Sequence, residues 1–241
     1  MITSKQNALI KELRSLSDKK NRDNLNRYIV EGVKNTLEAI NSGFKIFVVI
    51  GTEKGLNALG DIDVRIETVS DDVFKSVSSE VSPQGVIAVV EKPENSLLPV
   101  HEKSLLLDGV ADPSNVGAIV RTAAAAGYDR ILMTEECADP FSPKAVRSSM
   151  GGVFRVQFTR APIDKLLDSI KVPLVVADMH GENVFNKHIV GEFCLVIGNE
   201  GQGVSERAKS HASTTVSIPM ENGMESLNAA VSAGILMYNL K

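Results

Sequence analysis

Three stretches hold the residues whose types and spacing could do chemistry. Gly198-Asn199-Glu200-Gly201-Gln202-Gly203 follows an apolar run, and Pro219-Met220-Glu221-Asn222-Gly223 follows a second short one at 215–218. Glycine lets backbone amides come close to a ligand, and loops at the carboxyl ends of parallel strands gather on one edge, where ligands bind. Two neighbouring strands carrying such loops therefore predict a binding edge. The third stretch, 108–121, reads DGVADPSNVGAIVR. Asp112 before Pro113 is a helix start, with a capping side chain and proline in the first turn. On that helix Val116, Ile119, Val120 and Ala123 form an apolar face. The opposite face is Gly117, Ala118, Arg121, Ala124 and Ala125, where a solvated helix would carry Lys and Glu. Small residues around a single arginine suggest a close neighbour and a guanidinium delivered into a cleft.

Other chemistries lack their residues. The glycines at 198–203 follow neither G-x-G-x-x-G nor a P-loop, since no Lys-Ser or Lys-Thr follows them. His101, His180, His188 and His211 have no metal-ligand spacing, no nucleophile elbow is present, and Cys137 and Cys194 form no ligand set. No metal cofactor is expected, and two isolated cysteines suit a reducing compartment.

The elements that must position these residues alternate. Residues 3–20 carry Ala8, Leu9, Leu13 and Leu16 at helical spacing. Strands are predicted at 28–31, 44–50, 63–69 and 85–91, with helices at 33–40, 53–59 and 71–78 between them, a small α/β unit. Pro93, Glu94, Asn95, Ser96 and Pro99 mark a joint, giving domains 1–93 and 101–241. Beyond it strands are predicted at 104–108, 130–134, 153–158, 173–177, 195–198 and 215–218. Helices are predicted at 113–126, 143–149 and 163–170, and a terminal one begins near Ser226. A strand returning through a helix each time predicts a parallel sheet covered on both faces.

The chain has 241 residues, 43% of them hydrophobic and 23% charged, with a net charge of −4. Residues 1–34 hold eight basic residues against four acidic ones, a local +4 that leaves −8 on the rest. A basic arm on an acidic body suits local phosphate contacts, and a solvated helix face would look the same. No run is long enough to span a bilayer, so no membrane association is expected and a cytoplasmic location is.

The stretches 112–127 (DPSNVGAIVRTAAAAG), 195–205 (LVIGNEGQGVS) and 218–238 (IPMENGMESLNAAVSAGILMY) resemble the three ordered motifs of the SpoU/TrmH branch of the SPOUT methyltransferases. These enzymes transfer a methyl group from S-adenosylmethionine to a ribose 2′-oxygen of RNA. Val30-Glu31-Gly32 and Ser82-Pro83-Gln84-Gly85 are similar to the substrate-binding domain often fused to them. The resemblance implies a trefoil-knotted parallel-sheet α/β domain behind a smaller α/β substrate-binding domain, and a homodimer with its site at the subunit interface. It places Asn115, Arg121, Glu200, Ser226 and Asn228 in catalysis, and Gly198, Ile218, Met220 and Leu227 on the cofactor. Roles stay open: Arg121 as base or phosphate clamp, Glu200 orienting Arg121 or holding its loop, Ser226 acting on substrate or capping the last helix. The extra domain favours ribosomal over transfer RNA by analogy. The alternatives are a transfer RNA ribose methyltransferase, a base methyltransferase, and a non-catalytic RNA-binding assembly factor that kept the fold.

Overall fold

The computed structural model describes residues 1–240, which form two compact units, Met1–Lys92 with Asp139–Phe154, and Pro93–Ala138 with 155–240. In chain order the elements up to the joint are α1 (Ala8–Ser15), α2 (Lys19–Leu25), β1 (Arg27–Glu31), α3 (Val33–Asn41), β2 (Ile46–Gly51), α4 (Glu53–Asn57), β3 (Ile66–Thr68), α5 (Asp71–Lys75) and β4 (Val86–Glu91). Then follow β5 (Ser104–Asp108), α6 (Pro113–Ala126), β6 (Arg130–Met133), α7 (Pro143–Ser149), β7 (Gln157–Arg160), α8 (Ile163–Ser169), β8 (Leu174–Asn183), β9 (Cys194–Gly198), α9 (Glu206–Lys209), β10 (Thr214–Ser217) and α10 (Ala229–Asn239). No helix among the described residues is long and apolar enough to cross a membrane.

The first unit is a four-stranded mixed sheet, order β1-β4-β2-β3, with β4 antiparallel to both neighbours and β2 parallel to β3. Asn7 caps α1 by accepting from the Leu9 N–H at 2.9 Å, which turns Ile10 and Leu13 onto the sheet residues Ile29, Val48, Ile50, Ile87 and Val89. The motifs at 30–32 and 82–85 meet: the Gly32 N–H donates to Val86 O at 2.9 Å, and the Gln84 side chain accepts from the Val33 N–H at 2.8 Å, starting α3. Gly32 sits at φ +101°, where side chains rarely go.

Two features are set by contacts between residues far apart in sequence. The segment Asp139–Phe154, read as part of the second domain, belongs to the first unit. Phe141 packs on Tyr28 with ring centroids 4.9 Å apart, and Phe154 on Phe44 at 5.2 Å. The basic arm is also less free than its count suggests. Arg22 is buried against Asp139, Arg27 pairs with Glu12 and lies over Phe47, Lys19 pairs with Asp23, and Arg14 is held by Ser76. Lys5, Lys11, Lys20 and Lys34 are exposed and have no ion pair among the described residues.

The second unit is a six-stranded all-parallel sheet, order β10-β8-β9-β5-β6-β7. Its central strand β5 is buried along its length, as expected where helices cover both faces. Leu106, Leu132, Val176 and Val196 pack with Leu166 and Leu167 of α8 and Ala208 of α9. Leu105 and Leu107 point to the other side by alternation, where α6 and α10 pack against each other. Three details depart from expectation. The strand near 153–158 is a 3-10 turn at Gly152–Phe154 followed by β7. The connection from β8 to β9 contains only a 3-10 turn, Val184–Asn186. And β9 and β10, read as neighbours, are separated by β8. Between its two paired stretches β8 carries five residues, 177–181, that β10 does not match, and the two backbones close again at Gly181, where a Cβ would lie 2.5 Å from Val216 C.

Candidate active site

The chain leaves β5 for β6 and β7 on one side and returns to β8, β9 and β10 on the other, so strand order reverses between β5 and β9. Loops at such a reversal splay apart and leave a crevice at the carboxyl edge. Here they are stitched at its base. The Asp108 carboxylate, at the end of β5, accepts from the Ser205 N–H at 2.8 Å, and the Asn199 amide donates to Gly109 O at 2.7 Å. Asn199 also shapes its own loop, its Oδ1 accepting from the Gly201 and Gln202 N–H groups at 2.9 and 3.1 Å. Asp108 and Asn199 were not among the residues singled out from sequence. Their partners are main-chain atoms, which leave no pattern, although an Asn two residues before a Gly is a turn signal.

Above this base the polar residues of all three motifs join into one chain. Asp112 caps α6 through the N–H groups of Ser114 and Asn115 at 2.5 and 3.3 Å, which presents Asn115 in the first turn. The Asn115 amide donates to Glu200 Oε1 at 2.7 Å, and the Ala111 N–H donates to Glu200 Oε2 at 3.3 Å. Asn228 Nδ2 donates to Asn115 Oδ1 at 2.9 Å, while Asn228 Oδ1 caps α10 through the Ala230 and Val231 N–H groups at 2.9 and 3.3 Å. Both amide orientations follow from their partners: a helix N-terminus requires an oxygen and a carboxylate requires an N–H. Asn228, not Ser226, is the cap, and Ser226 stands exposed without a hydrogen bond among the described residues. The terminal helix accordingly begins at Ala229.

Arg121 is not brought to this chain. It is exposed on α6 with no ion pair or hydrogen bond among the described residues. Six residues beyond Asn115, it lies about 120° round the helix and about 9 Å along it. Glu200 therefore holds Asn115 and the loop after β5, and does not orient Arg121 within one chain.

Burial alone would raise the Glu200 carboxyl, but the Asn115 amide and the N–H groups of Glu200, Ala111 and Asp112 outweigh it and hold the group below its ordinary value. A folded value below the unfolded one means that the carboxylate's contribution to stability is complete above the ordinary value and is lost as pH falls through the lowered one. Carbon-detected NMR titration is expected to show Glu200 titrating below a free glutamate, and Asn115→Ala to move it upward. An unchanged midpoint in that variant would contradict the assignment of the amide as a principal cause.

The cofactor candidates occupy the same edge. Gly198 ends β9, Ile218 follows β10, Met220 is half-buried, and Leu227 is 38% exposed. Gly198 is required for a reason the sequence did not show. A Cβ there would sit 2.2 Å from Gly203 C and Val204 N, so glycine lets the loop close on itself rather than leaving room for a ligand. Gly198→Val is expected to open that loop and abolish cofactor binding in a calorimetric titration. From Pro219 to Leu227 the only hydrogen bond among the described residues runs from the Met224 N–H to Glu221 O at 3.2 Å. A run of unpaired main-chain donors and acceptors beside a crevice fits a ligand gripped by backbone.

A parallel α/β unit with its polar chain and unpaired backbone at a strand-order reversal is the class that binds a nucleotide-like ligand at its carboxyl edge. The chain belongs to the SpoU rRNA Methylase family, whose model matches residues 102–238, while a model of the MRM3-like substrate binding domain matches residues 7–88. It is 32% identical to the 23S rRNA (guanosine(2553)-2'-O)-methyltransferase RlmP of Bacillus subtilis over 100% of this chain and 98% of that protein. Among solved structures it is similar to the SpoU methyltransferase AviRb from Streptomyces viridochromogenes in complex with the cofactor AdoMet, at TM-score 0.88 and 28% identity over 97% of both chains. An AdoMet-bound rRNA methyltransferase from Sinorhizobium meliloti matches at TM-score 0.88 and 28% identity, over 99% of this chain and 95% of that one.

Proposed function

We propose that this protein transfers the methyl group of S-adenosylmethionine to a ribose 2′-hydroxyl of ribosomal RNA. The observation that carries the proposal is the hydrogen-bonded chain Glu200–Asn115–Asn228, which joins the polar residues of three separate motifs beside an unpaired stretch of backbone. Residues 218–227 and the loop at 198–203 would hold the cofactor through main-chain groups, with Ile218, Met220 and Leu227 covering its apolar parts. When bound, the cofactor supplies an electrophilic methyl, which passes to the 2′-oxygen while sulfur leaves as a neutral thioether.

That reaction asks the protein mainly for alignment. Glu200 stays ionised at neutral pH and fixes the Asn115 amide, Asn115 fixes Asn228, and the amide N–H groups not used in the chain remain for the ribose hydroxyl. Arg121, exposed and without a partner, suits a phosphate of the RNA. A guanidinium does not give up its proton in proteins, so the hydroxyl proton passes to solvent or to that phosphate.

The reading includes the homodimer and the knot of the family. Helix α10 carries apolar residues on more than one face: Ala229, Ala233, Leu236 and Met237 are buried, yet Val231 and Tyr238 are 51% and 52% exposed. A second copy covering that face, and the alanine face of α6, would bring an Arg121 to a site that one chain cannot supply with its own. Ribosomal RNA is the preferred substrate because the Bacillus subtilis relative, matched across both units, is named for 23S rRNA.

Nucleoside mass spectrometry of ribosomal and transfer RNA from cells with and without the protein tests this. Loss of one 2′-O-methyl nucleoside from ribosomal RNA is expected. Loss from transfer RNA alone would move the substrate, and no loss, with no cofactor binding by the purified protein, would overturn the reading. Light scattering is expected to give twice the mass of one chain.

A further inference from the structure

The peptide bond between Ala138 and Asp139 is where the chain passes from the second unit to the first. On one side of it lies an ion pair whose side chains are 3% and 6% exposed. Arg22 Nε and Nη2 both donate to Asp139 Oδ2, at 2.8 and 2.6 Å, and Nη1 donates to Leu16 O and Ser17 O, each at 2.8 Å. Asp139 Oδ1 accepts from the Phe141 N–H at 2.9 Å. Arg22 thus ties the carboxylate to the end of α1. A buried ion pair contributes little net stability over well-packed apolar residues of the same volume, so stability is a poor account of why one is here. What it does supply is a fixed position.

On the other side of that peptide bond the chain is laced to the exit of β5. The Ala138 N–H donates to Val110 O at 2.9 Å, the Thr134 N–H to Leu107 O at 3.0 Å, and Thr134 Oγ1 accepts from the Gly109 N–H at 3.0 Å. Arg160 closes the loop between, its guanidinium donating to Glu135 O and Cys137 O. The residue after Val110 is Ala111, whose N–H reaches Glu200, which in turn holds Asn115.

We infer that Arg22, through the Asp139 carboxylate and the loop at 134–138, is a positioning residue that sets residues 109–111 and hence the Glu200–Asn115–Asn228 chain for methyl transfer. Every step is a hydrogen bond or a short covalent link. An arginine of the basic arm therefore acts on the site from within the protein and not on RNA phosphates. The inference rests on the methyltransferase reading, and its test separates the two.

The experiment compares the full-length protein with Arg22→Met/Asp139→Leu, which removes both charges and leaves neither buried alone, and with Arg22→Lys, which keeps the charge but not the fork. The methyl acceptor is ribosomal RNA from cells lacking the protein. For the double variant a single-turnover rate about tenfold below wild type is expected at saturating RNA and cofactor, with both dissociation constants within about threefold. Amide hydrogen exchange at 109–111 should be about tenfold faster while β9 is unchanged. Arg22→Lys should fall between the two in rate, with unchanged KM. A double variant with wild-type rate and wild-type exchange at 109–111 overturns the inference. If the double variant does not fold, a wild-type rate in Arg22→Lys overturns it. A wild-type protein that binds no cofactor and transfers no methyl sinks the methyltransferase reading instead, and the exchange comparison still decides whether Arg22 orders residues 109–111.

Discussion

Arg121→Lys is expected to lower turnover by about a hundredfold, the scale of a reacting group held out of place, while weakening RNA binding far less. The substitution keeps one positive charge on an exposed position of α6 that has no partner within the chain among the described residues. What it removes is the planar fork that can hold two phosphate oxygens at once, so alignment suffers more than attraction. Arg121→Ala should weaken both, and cofactor affinity should survive in each, because the backbone stretches that fit the cofactor lie elsewhere. The competing role, Arg121 as proton acceptor, makes the opposite prediction. Lysine has the lower intrinsic pKa, and one that is readily shifted, so a lysine base would serve as well or better as pH rises. Single-turnover rates against pH for wild type and Arg121→Lys separate the two. A lysine variant that recovers the wild-type rate in alkali would sink the clamp.

How far such residues can be read from sequence depends on the range of the interactions that place them. The bounds of α6 were legible because they are local: Asp112 and Pro113 start it, and Gly127 ends it at φ +79°. The strand β5 was legible because burial on both faces leaves an unbroken apolar run. Strand order was not. Neighbours in sequence are neighbours in a sheet only as a tendency, and the place of β8 between β9 and β10 is defined by backbone pairing that leaves no mark in the sequence. The segment Asp139–Phe154 carries the proline start and apolar spacing of any crossover helix, so nothing local marks it as part of the other unit. Its tie, Arg22 to Asp139, spans 117 positions. The same distance made Arg22 look like one more solvated cation. In the site, Ser226 and Asn228 are both good caps two residues apart, and what decides between them is Asn115, 113 positions away.

Asn115→Asp tests that chain more severely than removal of the side chain, because it replaces a donor to Glu200 with a second carboxylate. In the wild type the Asn115 N–H lies 2.7 Å from Glu200 Oε1, and Asn228 Nδ2 lies 2.9 Å from Asn115 Oδ1. The new carboxylate can still accept from Asn228, so the helix cap and the link between the first and third motifs are kept. The link to Glu200 turns repulsive. Two carboxylates so close cannot both ionise without cost, and one of the pair takes its proton at a raised pH while the other remains low. At neutral pH, with both ionised, the carboxylates push apart, and turnover is expected to fall by about a hundredfold through displaced amides and loop. As pH falls through the raised value of the pair, a shared proton restores a hydrogen bond between the two groups, and part of the lost rate returns. The wild type should behave in the reverse sense, since Glu200 is held below its ordinary value and the chain weakens only on acidification. The signature is therefore opposite responses in separate windows: Asn115→Asp gains rate as pH falls through the raised value of the pair, where the wild type is unchanged, and the wild type loses rate only below the ordinary carboxylate value. Parallel pH profiles for the two proteins would show that Glu200 does not act through Asn115, and would leave the carboxylate as a loop anchor alone.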